Sequence, residues 1–449
     1  MAKNLFEVVQ ALFIPCVLLG AVSACTVQYA DEKRRRVFWK SLAVVAVIVL
    51  LVSFLREKRL IKYNQINNIY LLLASLVLGL GFAVLVWIQS FKKRHVEQGE
   101  ASEIPRGQNS IAQNDKRGKS PSLTKKDSVF VSVTAGVGVL FLACLFLYAV
   151  PVIIVLPFHF VGMDDTYFST QFLAKCTGFL LGWLVCVLSV LGVFKVLSRC
   201  PHKVVALSFS VLYLINGFIS FVGIVGIINS YYRRKIKIPA GLRTKLPQMI
   251  SAEYYIFFFA LAVLIVLAVA FFVYYTRIHG EYTNPAEHRL LKAFSRNNRR
   301  WATFVCALAV FAWVDMTVIK KIANTLVELS PSEEFQLTGD EIFIPLEQIS
   351  DGHLHRFTWT NAAGKGIRFI VVQKKGMNFG VGFDACDVCG NVGYYERKNE
   401  VICNRCDVVM NKSTIGLKGG CNPVPLASRI ENGGLVVRTT DLDAEAGRF

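Results

Sequence analysis

The sequence predicts a membrane α-helical bundle of about eight transmembrane helices, followed by a small, mostly β, extracytoplasmic metal-binding domain. Three observations carry this expectation. Hydrophobic residues make up 54% of the 449, with 33 Phe, which is too apolar for an ordinary soluble chain. From about Glu328 the long apolar runs give way to short alternating segments. Within those segments, "FDACDVCGNVGYYERKNEVICNRCDVVM" places four cysteines in two C-x-x-C pairs.

A helix needs about 20 apolar residues to cross the hydrocarbon core. Stretches of that kind lie at 5–29, 37–55, 69–90, 129–156, 172–197, 204–230, 252–276 and 301–319. The first has only Lys3 before it and is too long for a cleaved signal peptide, so it reads as a retained span. Residues 91–128 form the one long linker. It is rich in Lys, Ser, Gln and Asn, holds nine basic residues, lacks apolar periodicity and is expected to be mobile. No repeat of fixed period is visible. The chain therefore divides into a membrane domain at 1–321 and a C-terminal domain at 328–449.

The net charge of +19 would suggest nucleic acid if it lay on a soluble domain, so its placement decides its meaning. Residues 1–321 carry 37 of the 50 Lys and Arg and 15 of the 31 acids, which leaves the C-terminal domain mildly acidic. The basic excess thus belongs to loops between spans and points to lipid, not nucleic acid. With eight spans both termini share a side. The loops opposite them hold 22 basic residues, against 14 on the side of the termini. The positive-inside rule then places the termini and the C-terminal domain outside the cytoplasm.

Polar groups within spans are candidates for transport or relay. Asp315 in "FAWVDMTV" is the clearest acid and Asn216 in "YLINGF" the clearest amide, each also readable as bonding a neighbouring helix. His159, Asp164 and Asp165 in "FHFVGMDD" sit in a loop free of Lys and Arg, where carboxylates and an imidazole would offer a cation an entry site; a polar inter-span loop is the plain alternative. Cys16, Cys25, Cys144, Cys176, Cys186 and Cys306 lie in or near spans and read as small apolar residues.

In the C-terminal domain, "EEFQLTGDEIFIPLEQI", "HLHRFTWTNAAGKGIRFIVVQ" and "MNFGVGFDAC" alternate polar with β-branched or aromatic residues between turn formers, which reads as hairpins. Such a domain has room for one modest core, and a metal would staple its loop-rich end. Cys386 with Cys389, and Cys403 with Cys406, can each present two thiolates to one ion, and two such turns facing each other make a tetrahedral sulfur site. Gly390 lets the chain double back after the first pair, whereas Asp407 holds that place in the second. Spacing leaves zinc, iron or a cluster open. Disulfides are a further alternative, although Cys421 makes five cysteines in the domain and one would be left over. Met410, His353 and His355 are ligand types nearby in sequence; an H-x-H strand puts both rings on one face, as a metal or plain solvent exposure would use them. Met410 also reads as core filler.

The motifs "FDACDVCG", "GYY", "VICNRCDVVMN", "TIG" and "KGGCNPVPL", with "HLHRF" and "IRF" upstream, resemble the C-terminal domain of the FtrD-like membrane iron–sulfur proteins over about 350–426. The multi-span part agrees with that family only in general architecture. The resemblance implies a component of bacterial high-affinity iron uptake in the inner membrane, beside an Ftr-type iron permease and a periplasmic iron-binding protein. Its C-terminal domain would face the periplasm and pass electrons to or from iron. The implied ligands are Cys386, Cys389, Cys403 and Cys406, with Cys421 as a candidate fifth. The tightly spaced cysteine run of bacterial ferredoxins is missing.

The Arg-Glu-x-x-Glu pattern of iron permeases is missing from every span, which argues against this chain being the permease, and so are the paired histidines that would hold haem b in a bundle. No nucleophile–base constellation or phosphate-cradling glycine loop supports a hydrolase. The reading is a metal-handling, electron-transferring membrane subunit. The alternatives are a zinc-stabilised docking subunit of a metal transporter without a redox role and, more remotely, a thiol–disulfide reductase.

Overall fold

The computed structural model describes residues 1–58, 60, 64–103, 125–160, 170–231, 239–278, 282–323, 325, 327–387, 389–397, 399–405, 408–417 and 421–449. Its contacts divide it into a helical unit within 1–323 and a β unit from 324 to the C-terminus.

Among the described residues, the helical unit has eight helices long and apolar enough to cross a membrane. They are α1 (Ala2–Tyr29), α2 (Glu32–Glu57), α3 (Gln65–Glu103), α4 (Lys125–Ile154), α5 (Thr170–Leu197), α6 (His202–Tyr231), α7 (Ala240–Tyr274) and α8 (Pro285–Val314). A π-helical turn, Asp315–Ile319, and a last helical turn to Ala323 continue α8. The eighth helix starts well before the span expected at 301. Asn284 caps it by accepting the Glu287 amide at 2.9 Å, and the Glu287 carboxylate reaches back to the Thr283 amide and hydroxyl at 2.8 Å each. Asp31 caps α2 in the same manner through the Arg34 amide at 3.0 Å.

α3 is described through Glu103, so helix extends past Phe91 into the segment expected as a linker. Residues 104–124 lie outside those described.

α1 is the central helix: its apolar window is 83% buried, against 17% for α2. Small residues let its neighbours come close. A side chain at Gly20 would meet the Val190 carbonyl oxygen at 2.9 Å, and one at Gly182 would meet Val8 Cβ at 2.7 Å. Aromatic rings fill the centre, with Phe82 edge-on to Phe209 at 4.8 Å. Between helices, Gln89 donates to Thr134 Oγ1 and Trp87 to Ser210 Oγ, each at 3.0 Å. Asp315 opens the π turn; it is 0% exposed and neither carboxylate oxygen has a hydrogen-bond partner among the described residues. Asn216 is likewise buried, with its side-chain nitrogen unpartnered. Asp164 and Asp165 lie outside the described residues.

Among the described residues, the β unit has three antiparallel sheets, and short helices α9 (Leu346–Ile349) and α10 (Thr439–Ala444). The first sheet orders β1 (Gln336–Thr338), β2 (Glu341–Pro345), β10 (Gly434–Arg438) and β9 (Arg429–Glu431). The second is β3 (Leu354–Thr360), β4 (Gly366–Gln373) and β5 (Phe379–Phe383), and the third β6 (Tyr394–Arg397), β7 (Glu400–Cys403) and β8 (Val409–Met410). The β3–β4 turn reads as the sequence promised: Asn361 Oδ1 accepts the Ala363 and Lys365 amides at 3.1 and 2.9 Å, and Gly364 has φ +74°.

β4 is buried on both faces. Because side chains alternate along a strand, Ile367, Phe369 and Val371 enter one core with Phe357, Phe383 and Leu435, while Ile370 and Val372 face a second. That second core contains Cys386, Cys389 and Cys403, walled by Leu354, Tyr394, Val401, Met410 and Ile415. One strand therefore joins the main core of the β unit to the thiols.

Candidate metal centre

Cys386 and Cys389 sit on a tight loop after β5. The chain doubles back there: the Cys386 amide donates to the Gly390 carbonyl at 3.1 Å, and the Gly390 amide donates to the Cys386 carbonyl at 3.0 Å. Gly390 has φ +76°, a conformation only glycine adopts readily. This return brings the Cys389 amide onto Cys386 Sγ at 3.0 Å. An N–H donor at that distance stabilises negative charge on sulfur.

Cys403 comes from the opposite side, at the end of β7. The β6–β7 hairpin pairs it with Tyr394, turning at Asn399 with φ +62°. The Cys403 amide donates to the Val408 carbonyl at 3.1 Å. Sγ of Cys386, Cys389 and Cys403 lie within 4.8 Å of one another, and all three cysteines are buried. Cys406 lies outside the described residues. Cys421 is half-buried beside the group, its sulfur 3.9 Å from that of Cys389.

Three buried thiols converging from two chain segments are a donor set suited to a soft or borderline transition metal. The residues present therefore fit a thiolate-bound metal or cluster, with the expected fourth cysteine two residues beyond Asn404.

The neighbouring charges are as ordered as the thiols. Arg356 is 1% exposed and Asp384 0%. Arg356 Nε donates to Asp384 Oδ2 at 3.0 Å, Arg368 Nε donates to the same oxygen at 3.1 Å, and the Tyr394 amide donates to Oδ1 at 2.8 Å. A second Arg356 nitrogen donates to the Tyr394 carbonyl. Both backbone polar groups of Tyr394 are thus held by one buried ion pair. Gly393, at φ +82°, passes so close to the carboxylate that a side chain there would meet it at 2.8 Å. The Tyr394 hydroxyl donates to the Cys421 carbonyl at 2.6 Å and also lies within hydrogen-bonding reach of Cys386. Burial, then the adjacent Cys386 and Cys403 thiols, raise the phenol above its ordinary value, so it remains an O–H. Asn404 ties the entry segment to this loop, accepting the Val327 amide and donating to the Val327 carbonyl at 2.8 Å each. Sequence reasoning missed Arg356, Asp384 and Asn404 as supports of the site.

The histidines behave differently from the H-x-H expectation. His353 Nδ1 bonds Glu396 at 2.8 Å. His355 is buried, with Nδ1 3.0 Å from Glu333 and Nε2 2.8 Å from Asp351. Both His355 nitrogens are thus occupied by carboxylates, and the histidines are not part of the converging group. Met410 lines the apolar wall around the thiols.

Burial opposes the charge on His355, but the bonds to Asp351 and Glu333 outweigh it and hold the imidazolium above its ordinary value of 6.5. With the folded value raised, this bridge stabilises the β unit fully below pH 6.5 and is lost as pH rises through the folded value. The melting-temperature advantage of the wild type over His355→Gln should therefore shrink as pH rises above 6.5. An advantage that stays constant over that range would show that the bridge is not ionic.

Compared with known families, residues 349–449 match the family model described as "Membrane iron-sulfur containing protein FtrD-like", so the match covers most of the β unit and none of the helical one. Compared with curated proteins and with solved structures, the chain finds no match.

Proposed function

We propose that this chain is the membrane-anchored metal component of a bacterial iron-uptake system, holding an iron or iron–sulfur centre that passes electrons to or from iron at the periplasmic face. The observation that carries the reading is the convergence of three buried thiols within 4.8 Å, inside the segment that matches a family named for iron–sulfur content. Cys386, Cys389, Cys403 and Cys406 are the proposed ligands. Cys421 is a neighbour able to join them, whereas His353 and His355 bond the carboxylates described above.

When bound, the centre supplies one-electron chemistry. The rest is the work of the protein's own residues. The Cys389 amide partly neutralises charge on the Cys386 sulfur. Ile370, Val401, Met410 and Ile415 exclude water from the thiols, which raises the weight of every nearby dipole. Residues 1–321 form the anchor in the inner membrane and 328–449 the metal domain. The excess of basic residues in the loops opposite the termini supports a periplasmic position for that domain. An Ftr-type permease and a periplasmic iron-binding protein are the partners this reading calls for.

Metal analysis with a visible spectrum on anaerobically purified, full-length protein tests it. Iron accompanied by thiolate-to-iron charge-transfer bands is the expected result. A colourless protein holding one zinc would overturn the electron-transfer role and leave a zinc-stabilised docking domain.

A further inference from the structure

α7 and α8 leave between them a cleft of about 550 Å³, lined by Phe272, Arg296, Arg299, Arg300, Thr303, Phe304 and Ala307. All but Phe272 come from one face of α8, at helical spacing of three, four, seven, eight and eleven residues from Arg296. The three arginines directly precede the apolar run that begins at Trp301; a helix crossing a bilayer there would set them near the level where polar headgroups meet hydrocarbon, with the apolar residues following inside it. At 1.5 Å per residue, Arg299 and Ala307 are about 12 Å apart along the helix axis. The cleft is therefore cationic at one end and apolar at the other.

The charge at its mouth is uncompensated among the described residues. Among the described residues, no carboxylate pairs with Arg296, Arg299 or Arg300, and Arg299 Nε is buried without a hydrogen-bond partner. Guanidiniums so placed present forked donors matched to a phosphate. A soluble phosphate would engage only this polar end. The apolar wall that continues from it, Phe272, Phe304 and Ala307, needs a ligand carrying hydrocarbon. Nor, among the described residues that line the cleft, is there a carboxylate to receive the cationic end of a zwitterionic headgroup.

We propose that this cleft binds an anionic phospholipid, with its phosphate on Arg296, Arg299 and Arg300 and the first part of its chains along Phe272, Phe304 and Ala307. The site is independent of the thiol centre and of whatever metal that centre holds. Each arginine contributes roughly a fivefold preference for anionic over zwitterionic lipid.

The test is native mass spectrometry and melting of the full-length protein. The protein is exchanged into phosphatidylglycerol or phosphatidylcholine mixed micelles, for the wild type, for an Arg296→Gln/Arg299→Gln/Arg300→Gln variant, and for Arg300→Gln alone in case the triple change prevents folding. Wild type should retain phosphatidylglycerol and melt higher in it than in phosphatidylcholine. The variants should lose that difference, completely in the triple and by roughly fivefold in lipid retention in the single. Equal retention of the two lipids by wild type, or an undiminished preference in the variants, would overturn the proposal. Inorganic phosphate should leave the melting temperature unchanged, and a shift equal to that with phosphatidylglycerol would assign the arginines to a free anion instead.

Discussion

Cys403→Ala is expected to empty the thiol centre and to unfold the loop-rich half of the β unit, the largest effect of any single change in this chain. Two contributions add. The side chain is buried among Leu354, Ile370, Tyr394 and Met410, so truncation leaves a small void in a core that cannot close freely around a strand end. The larger contribution is that of the metal the proposed centre would hold. The free energy of binding a structural metal, on the order of 10 kcal/mol, becomes folding free energy where the site forms only in the folded chain. Cys306→Ala, a half-buried thiol on α8, serves as the control, because a single atom removed there costs about 1 kcal/mol. Metal content measured on both variants, with hydrogen exchange at the amides of β4, β6 and β7, separates them. Full metal content in Cys403→Ala, with protection unchanged in those strands, would remove Cys403 from the centre.

The sequence made much of this legible because two signals are local. Twenty apolar residues in a row mean a span whatever surrounds them, and all eight expected spans meet helices that meet that criterion. The first C-x-x-C turn carries its geometry with it, since the spacing of Cys386 and Cys389 and Gly390 together form the turn that aims an amide at sulfur. What was not legible depends on distant partners. His353 and His355 look alike in "HLH", yet one meets Glu396, 43 residues on, and the other Glu333, 22 residues back. Periodicity reports which way a side chain points along its strand and nothing of the carboxylate that meets it. β4 misled in another way: its alternating faces both find apolar partners, because a second core forms around the thiols. The start of α8 at Pro285 was hidden for the opposite reason. "EHRLLKAFSRNNRR" is amphipathic and charged, so a search for apolar length passes over it although its cap is written in Asn284 and Glu287.

Asp384→Ala should destabilise the β unit by about 3–5 kcal/mol, the usual result of stranding a buried charge. Arg356, 1% exposed, would keep its bonds to the Ser330 and Tyr394 carbonyls but lose its anion, while Arg368 could turn toward water. The damage reaches the thiols by a short path. Asp384 lies two residues before Cys386 and receives the amide of Tyr394, whose ring packs among Cys386, Cys389 and Cys403. Metal occupancy should therefore fall along with stability, which loss of a remote ion pair would not produce. Asp384→Asn keeps an acceptor for the Tyr394 amide but removes the charge, so its loss should be intermediate. The decisive comparison is Asp384→Leu with Arg356→Met: the double variant strands neither charge, and its loss should be smaller than the sum of the two single ones. Additive losses measured by chemical denaturation would mean that the two residues act separately, and the ion pair would then not be what fixes Tyr394 beside the metal centre.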